Sequence, residues 1–161
     1  MTIVNTGEGK EENGVVQLAC TVFKNYILSN KGETQAWTQI DAQTRKHAKD
    51  AFFKLISSPN QIKTRSACIC IAAIASAELP LGLWDEFLEI ITNCATGQSS
   101  NVDYRFAALY ILENLGDFYG EDASFTQQQI SAILYCAVTN ISRSERKDLV
   151  LSATKALLSI I

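Results

Sequence analysis

The residues of this sequence best suited to chemistry are scattered in a way that suits little of it. Five cysteines, Cys20, Cys68, Cys70, Cys94 and Cys136, all lie inside apolar stretches of helical spacing. An odd number so placed is no disulfide framework, and these thiols read as small core residues. Cys68 and Cys70 form a CxC, but residues two apart on a helix point to different sides, and the only histidine, His47, belongs to another segment. No metal site is expected. Asp85 and Glu89 are i,i+4 neighbours on a surface helix, not an acid and base set in a cleft. A glycine-rich phosphate loop, a GxSxG turn and an HExxH pair are all missing. We therefore assign no catalytic residue and no cofactor, and read the chain as a non-enzyme.

Composition narrows the class. At 161 residues, 47% hydrophobic and 19% charged, the chain has enough apolar material for a core, and two prolines and eight glycines leave long stretches of Ala, Leu, Ile, Lys and Glu between breakers. That favours an all-α fold. A net charge of −3 offers no general attraction to phosphate, so nucleic acid is not an expected partner. No charged segment followed by an apolar run opens the chain, and no apolar stretch is read as reaching the roughly 18 residues of a membrane span. No membrane partner is expected, and the chain reads as intracellular, with nucleus and cytosol both open.

Apolar residues recurring every three to four positions predict seven helices, at about 15–29, 42–57, 62–79, 83–95, 102–118, 126–141 and 145–161. Val15, Ala19, Val22, Phe23 and Tyr26 form the expected inward stripe of the first. Asp41 is a good N-cap for the second, and Pro59 with Asn60 stops it. Pro80 ends the third, because proline disfavours helix in the residue before it. Leu83, Phe87, Ile90, Ile91 and Cys94 are expected to face inward from the fourth. Short links between helices imply antiparallel neighbours.

Every other helix opens on a recurring phrase, an alanine after a basic or polar residue with an aliphatic run beyond it. It appears as Gln17-Leu18-Ala19, Arg65-Ser66-Ala67, Arg105-Phe106-Ala107 and Leu151-Ser152-Ala153. The alanines are about 40 to 48 residues apart, the period of two-helix HEAT or armadillo units. The expected architecture is an α-solenoid of about seven helices, with the alanine-bearing helices on one concave side. Residues 1–14 read as a loop, and 15–161 as the solenoid. The apolar end, Leu157-Leu158-Ser159-Ile160-Ile161, lacks a polar capping helix, so the chain is expected to be a portion of a longer array.

Three stretches carry a family resemblance. Leu18-Ala19-Cys20-Thr21-Val22-Phe23-Lys24-Asn25-Tyr26 resembles the second helix of the first repeat of karyopherin-β receptors, with its Lys-Asn pair. Trp37-Thr38-Gln39-Ile40-Asp41, followed by Arg45 and Lys49, is similar to the segment leading into the second repeat of importin-β. Ile71-Ala72-Ala73-Ile74-Ala75-Ser76-Ala77-Glu78-Leu79-Pro80, then Trp84 and Phe87-Leu88, resembles the junction of repeats two and three. The likeness runs from the end of repeat one into repeat four and is weaker after about Gly120. It implies the N-terminal portion of a nuclear transport receptor that binds Ran-GTP and supports import of protein cargo through the pore, present in cytoplasm, nucleus and nuclear envelope. Nucleoporins, importin-α and cargo would be met mainly by repeats outside this sequence. The alternative is a non-catalytic HEAT scaffold subunit of another complex.

The resemblance makes Lys24 and Asn25 Ran-binding candidates, on a polar stripe with Gln17, Thr21 and Lys31. It also implies Asp117, near the end of the fifth helix, as a partner for basic groups. Glu113 lies beside it, where the helix dipole disfavours acidic groups by about 0.3 to 1 kcal/mol. Lys63 and Arg65, at the start of the third helix, are further candidates, although Arg65 is equally suited to bonding a neighbouring carbonyl. Arg45, Lys46, His47 and Lys49 read as a basic contact patch or as an ordinary outer face. Trp37 and Trp84 are expected to pack between repeats. Phe52, Phe53 and Phe87 read as core or, less well, as the border of a groove for phenylalanine-rich segments.

Overall fold

Capping side chains set several of the helix starts. The computed structural model of the protein describes residues 8–29, 36–97, 101–119, 125–143 and 146–159. Among these the chain forms α1 (Glu8–Ser29), α2 (Ala42–Ile56), α3 (Gln61–Glu78), α4 (Phe87–Thr96), α5 (Val102–Tyr119), α6 (Gln127–Arg143) and α7 (Lys147–Leu158), with no strand. Lys31 and residues 160–161, both used in the sequence reading, lie outside the described residues. Asp41 caps α2 by accepting from the Thr44 amide at 2.9 Å and the Thr44 hydroxyl at 2.7 Å, which holds its carboxyl below the usual range. Asn60 caps α3 by accepting from the Ile62 amide. Before α6, Thr126 and Gln129 exchange side-chain and backbone bonds as a capping box.

The helices alternate between two rows. α1, α3, α5 and α7 pack successively on one another, while α2, α4 and α6 back α3, α5 and α7 respectively. Cross-helix contacts give the register. Asn60 donates to Asn13 and Lys63 pairs with Glu12 at the N-terminal ends of α1 and α3. Arg146 reaches Asp103 at the N-terminal ends of α5 and α7, and Lys155 reaches Glu113 further along. The row therefore runs parallel, with α2 antiparallel to α3, since Arg45 near the start of α2 meets Glu78 at the end of α3. This is the expected all-α solenoid of paired helices.

Small residues let the rows close up. From Ser66 to Glu78 every residue of α3 but Ile69 is buried, and Ala67, Ala72, Ala73 and Ala75 are wholly so. The segment Gln61–Leu81 is in fact long and apolar enough to cross a membrane, contrary to the sequence estimate, yet most of it is covered by neighbouring helices. Its hydropathy is that of a helix at the centre of a stack.

Three boundaries or faces differ from expectation. Helix α1 begins at Glu8, so residues 8–14 are helical instead of a loop. The contacts of Glu12 and Asn13 with α3 hold that extension in place. The inward face of α1 differs too: of the five residues expected there only Phe23 packs against the core, and Ala19 is exposed with the rest. Cys20 and Ile27 are buried and Phe23 half-buried, whereas Val15 and Val22 are 67% and 61% exposed, along with Leu18 and Tyr26. Finally, α4 starts at Phe87, not near residue 83. Gly82, at φ 63°, adopts the left-handed conformation that glycine tolerates and turns the chain after the 3₁₀ turn Leu79–Leu81. Leu83 is consequently exposed, and Trp84 lodges between Phe53 and Phe87.

The turn centres on Glu78, a fully buried carboxylate. Its Oε1 accepts from Trp37 Nε1 at 3.0 Å and Arg45 Nη1 at 2.8 Å, and its Oε2 accepts from Lys49 Nζ at 2.7 Å. Lys49 also sits over the Trp84 ring at 4.3 Å. Arg45 and Lys49 thus point inward and are no surface patch; only Lys46 and His47 of that cluster are exposed. Trp37 and Trp84 are buried anchors, and Phe87 is core, with Phe52 and Phe53 half-buried against Phe23 and Trp84.

Replacing Glu78 by Ala strands two cations and an indole N–H, and is expected to destabilise the fold by about 3 to 5 kcal/mol, read from urea unfolding. Trp37→Phe, which removes one donor and keeps a ring, should cost far less. The exposed aliphatic residues of α1, with Leu134, Tyr135 and Val138 on α6, should make the isolated chain self-associate. Light scattering should then show a molar mass that rises with concentration, and a strict monomer at high concentration would contradict it.

Candidate protein-binding site

Both ends of the α1–α3–α5–α7 row carry polar constellations. At the N-terminal end, the Arg65 guanidinium lies over the rings of Phe106 and Tyr110, at 5.6 and 5.9 Å, and those rings stack on each other at 5.7 Å. Phe106 and Tyr110 stand one turn apart on α5, so Arg65 bridges α3 to α5 through its flat face and makes no hydrogen bond among the described residues. The carbonyl-bonding role considered for Arg65 falls elsewhere. Asn140 donates to the Ala95 and Cys136 carbonyls, and accepts from Arg105 Nε at 2.8 Å, tying α4, α5 and α6 together.

A cleft of about 160 Å³ opens beside Arg65, bordered by Thr64, Phe106, Asp103, Arg146 and Asp148. Arg146 is held by Asp148 through two bonds, at 2.6 and 3.0 Å, and by Asp103 at 3.2 Å. These bonds raise the guanidinium above its usual range and pull Asp148 below the carboxylate range. The cleft therefore presents balanced charge with an aromatic floor.

The C-terminal end is acidic. Glu113 accepts from Lys155 Nζ at 2.9 Å, and its side chain is only 13% exposed. Its Oε2 is buried with no hydrogen-bond partner among the described residues. Asp117, one turn on, is exposed. The bond to Glu113 raises the Lys155 ammonium above its usual range, its charge and that of Asp117 adding to the effect. Glu113, Asp117, Lys155 and Leu158 border an open hollow of about 300 Å³. Gly116 makes the close approach possible, because a Cβ there would lie 2.0 Å from that of Ser159.

The six candidates from the sequence thus share one row but not one spot. With α1, α3 and α5 parallel, Lys24 and Asn25 lie level with the C-terminal half of α3, as do Glu113 and Asp117 across it. Lys63 and Arg65 fall at the other end, roughly 13 Å away along the helix axis. Asn25 and Asp117 are exposed and Lys24 is half-buried, and neither Lys24 nor Asp117 has an ion-pair partner among the described residues. Lys63 and Glu113, in contrast, are already engaged, with Glu12 and Lys155. Lys155 and Arg146 escaped the sequence reading. Each lies one repeat period from its partner, 42 and 43 residues away.

Paired helices stacked with a period of 40 to 48 residues define a helical-repeat solenoid. The period exceeds the 34 residues of a tetratricopeptide unit and suits a HEAT-like one. The family model described as IPO5-like, TPR repeats, matches residues 59–161. The chain belongs to that family, and so to the importin-β class of HEAT-like repeat proteins. No solved structure matches it.

Removing the close approach should loosen α7. Gly116→Ala is expected to cost about 1 to 3 kcal/mol by overpacking against Ser159. The double variant with Ser159→Gly should recover most of that loss in thermal unfolding, and equal melting of the single and double variants would contradict the contact.

Proposed function

We propose that the protein is the N-terminal, Ran-binding portion of an importin-β-like nuclear transport receptor, spanning the second helix of repeat one through repeat four. It binds Ran-GTP and supports import of protein cargo through the pore, shuttling between cytoplasm and nucleus. Nucleoporins, importin-α and cargo engage mainly repeats beyond this sequence. The observation that carries this reading is the family match over residues 59–161 on a helical-repeat solenoid. The placement of Lys24, Asn25, Arg65 and Asp117 on one row of parallel helices supports it.

In this reading Asn25 and Lys24 hydrogen-bond a nucleotide-sensitive loop of Ran from α1, while Asp117 pairs with a basic side chain. Arg65 offers an exposed guanidinium that lies over two rings. Lys63 and Glu113 would have to exchange internal partners for external ones, so they contribute less.

The test is binding to Ran loaded with GTP or GDP, measured by biolayer interferometry. The chain should favour the GTP form. Reversing Lys24 to Glu together with Asp117 to Lys should weaken that binding on the order of tenfold to a hundredfold, with helical circular dichroism unchanged. A folded double variant that binds like the parent would remove the residue assignment. No preference between nucleotide states would remove the Ran reading.

A further inference from the structure

Among the five cysteines, one pair is placed unlike the rest. Cys68, Cys94 and Cys136 are thiols whose burial raises them above the ordinary range, as expected of small core residues. Cys20 on α1 and Cys70 on α3 face each other across the parallel interface of the two helices. The Cys70 thiol donates to the Cys20 carbonyl oxygen at 3.4 Å. Cys20 keeps 8% of its surface at the edge of the interface, whereas Cys70 has none. The small residues of α3 bring the backbones close, which a disulfide requires. Lys24, one turn beyond Cys20, is a positive charge that acts on Cys70.

We infer that Cys20 and Cys70 are a peroxide-sensitive dithiol that closes to a disulfide joining α1 to α3. The two sulfurs have distinct parts. Cys20 is the attacking group, because it keeps surface at the edge of the interface where peroxide can enter whereas Cys70 has none, and bonding to the Cys70 side chain lowers it to about 7. Cys70 stays protonated and resolves. Hydrogen peroxide is the oxidant. The Cys20 thiolate attacks one peroxide oxygen, the O–O bond breaks, and hydroxide leaves, taking up a proton to become water, while Cys20 becomes a sulfenic acid. The Cys70 sulfur then attacks the Cys20 sulfur. The S–O bond breaks and the departing hydroxide takes the Cys70 proton, giving the disulfide and a second water. A two-electron oxidation of two thiols thus balances one peroxide. The crosslink fastens α1 to α3 just beneath Lys24 and closes a span of 50 residues.

The experiment treats the folded, reduced chain with one to several equivalents of hydrogen peroxide. Remaining thiols are then blocked with N-ethylmaleimide in denaturant, and the chain is digested with trypsin. Cleavage leaves Cys20 in the peptide 11–24 and Cys70 in 66–105, which also holds Cys68 and Cys94. A disulfide-linked pair of these peptides should dominate, forming in the parent and in Cys68→Ser and Cys94→Ser, but not in Cys20→Ser, Cys70→Ser or Cys70→Ala. Hydrogen exchange of α1 amides in the oxidised chain should slow roughly tenfold or more. Absence of the linked pair in the folded parent would overturn the inference, as would its survival in both folded Cys70 variants. If Cys70→Ser does not fold, Cys70→Ala decides; if neither folds, failure of the folded Cys68→Ser chain to crosslink would overturn it equally.

Discussion

A single buried carboxylate organises the middle of this solenoid. Glu78 lies at the end of the central helix, out of contact with water, and draws an indole N–H, a guanidinium and an ammonium to its two oxygens. Burying such a charge is costly unless its lone pairs are filled. The three donors come from the link before α2 and from α2 itself, so filling them fixes the antiparallel pairing of α2 with α3. The cluster also sits where the chain must turn into α4. Lys49 carries the contact on to Trp84, and Trp84 to Phe53 and Phe87. One polar knot thereby sets helix pairing, turn and tryptophan position together.

That knot explains what was legible in the sequence and what was not. The segment leading into α2 and the Ala-Glu-Leu-Pro junction with its tryptophan stood out as separate resemblances; in space they are one object, and Glu78 is its hinge. Sequence reasoning gave Arg45 and Lys49 to the surface because exposed helix faces usually look basic, and nothing local reveals an acid 33 and 29 residues away. Helix α4 was started too early because Leu83 and Trp84 continue an apolar pattern. That pattern cannot report the left-handed glycine before them. The face of α1 was ambiguous for a different reason. In a stacked repeat a helix meets neighbours on more than one side, so Val15, Leu18 and Val22 form as good a stripe as Cys20, Phe23 and Ile27.

The candidate site was legible by element and not by partner. Lys24, Asn25, Arg65 and Asp117 do lie on the parallel row, because the repeating alanine phrase marks its helices. The partners of Glu113 and Lys63 could not be read locally, since Lys155 and Glu12 lie 42 and 51 residues away. Those separations carry a usable signal. In a solenoid with a period of 40 to 48 residues, equivalent levels of adjacent helices are one period apart. Opposite charges, aromatic and cationic residues, or paired thiols at that spacing are therefore the contacts to seek. Asp103 with Arg146 and Arg65 with Phe106 obey it, at 43 and 41 residues, while Cys20 with Cys70 and Glu12 with Lys63 fall just beyond it, at 50 and 51.

This periodic pairing also bears on how such a scaffold can bind without unfolding. Contacts along the row join each helix to its neighbour, so a change at one junction is felt mainly by the next unit. The core side of the junctions is filled by buried alanines and aliphatic residues. At the polar ends, the Glu113–Lys155 pair and the Arg146 carboxylates are partly exposed ion pairs, which contribute little to stability and can exchange partners at small cost. A binding protein meeting this row encounters a stiff apolar spine beneath pairs that can be reassigned. The polar ends are consequently where recognition can be added, while Glu78, sealed inside the stack, keeps the spine in register as that happens.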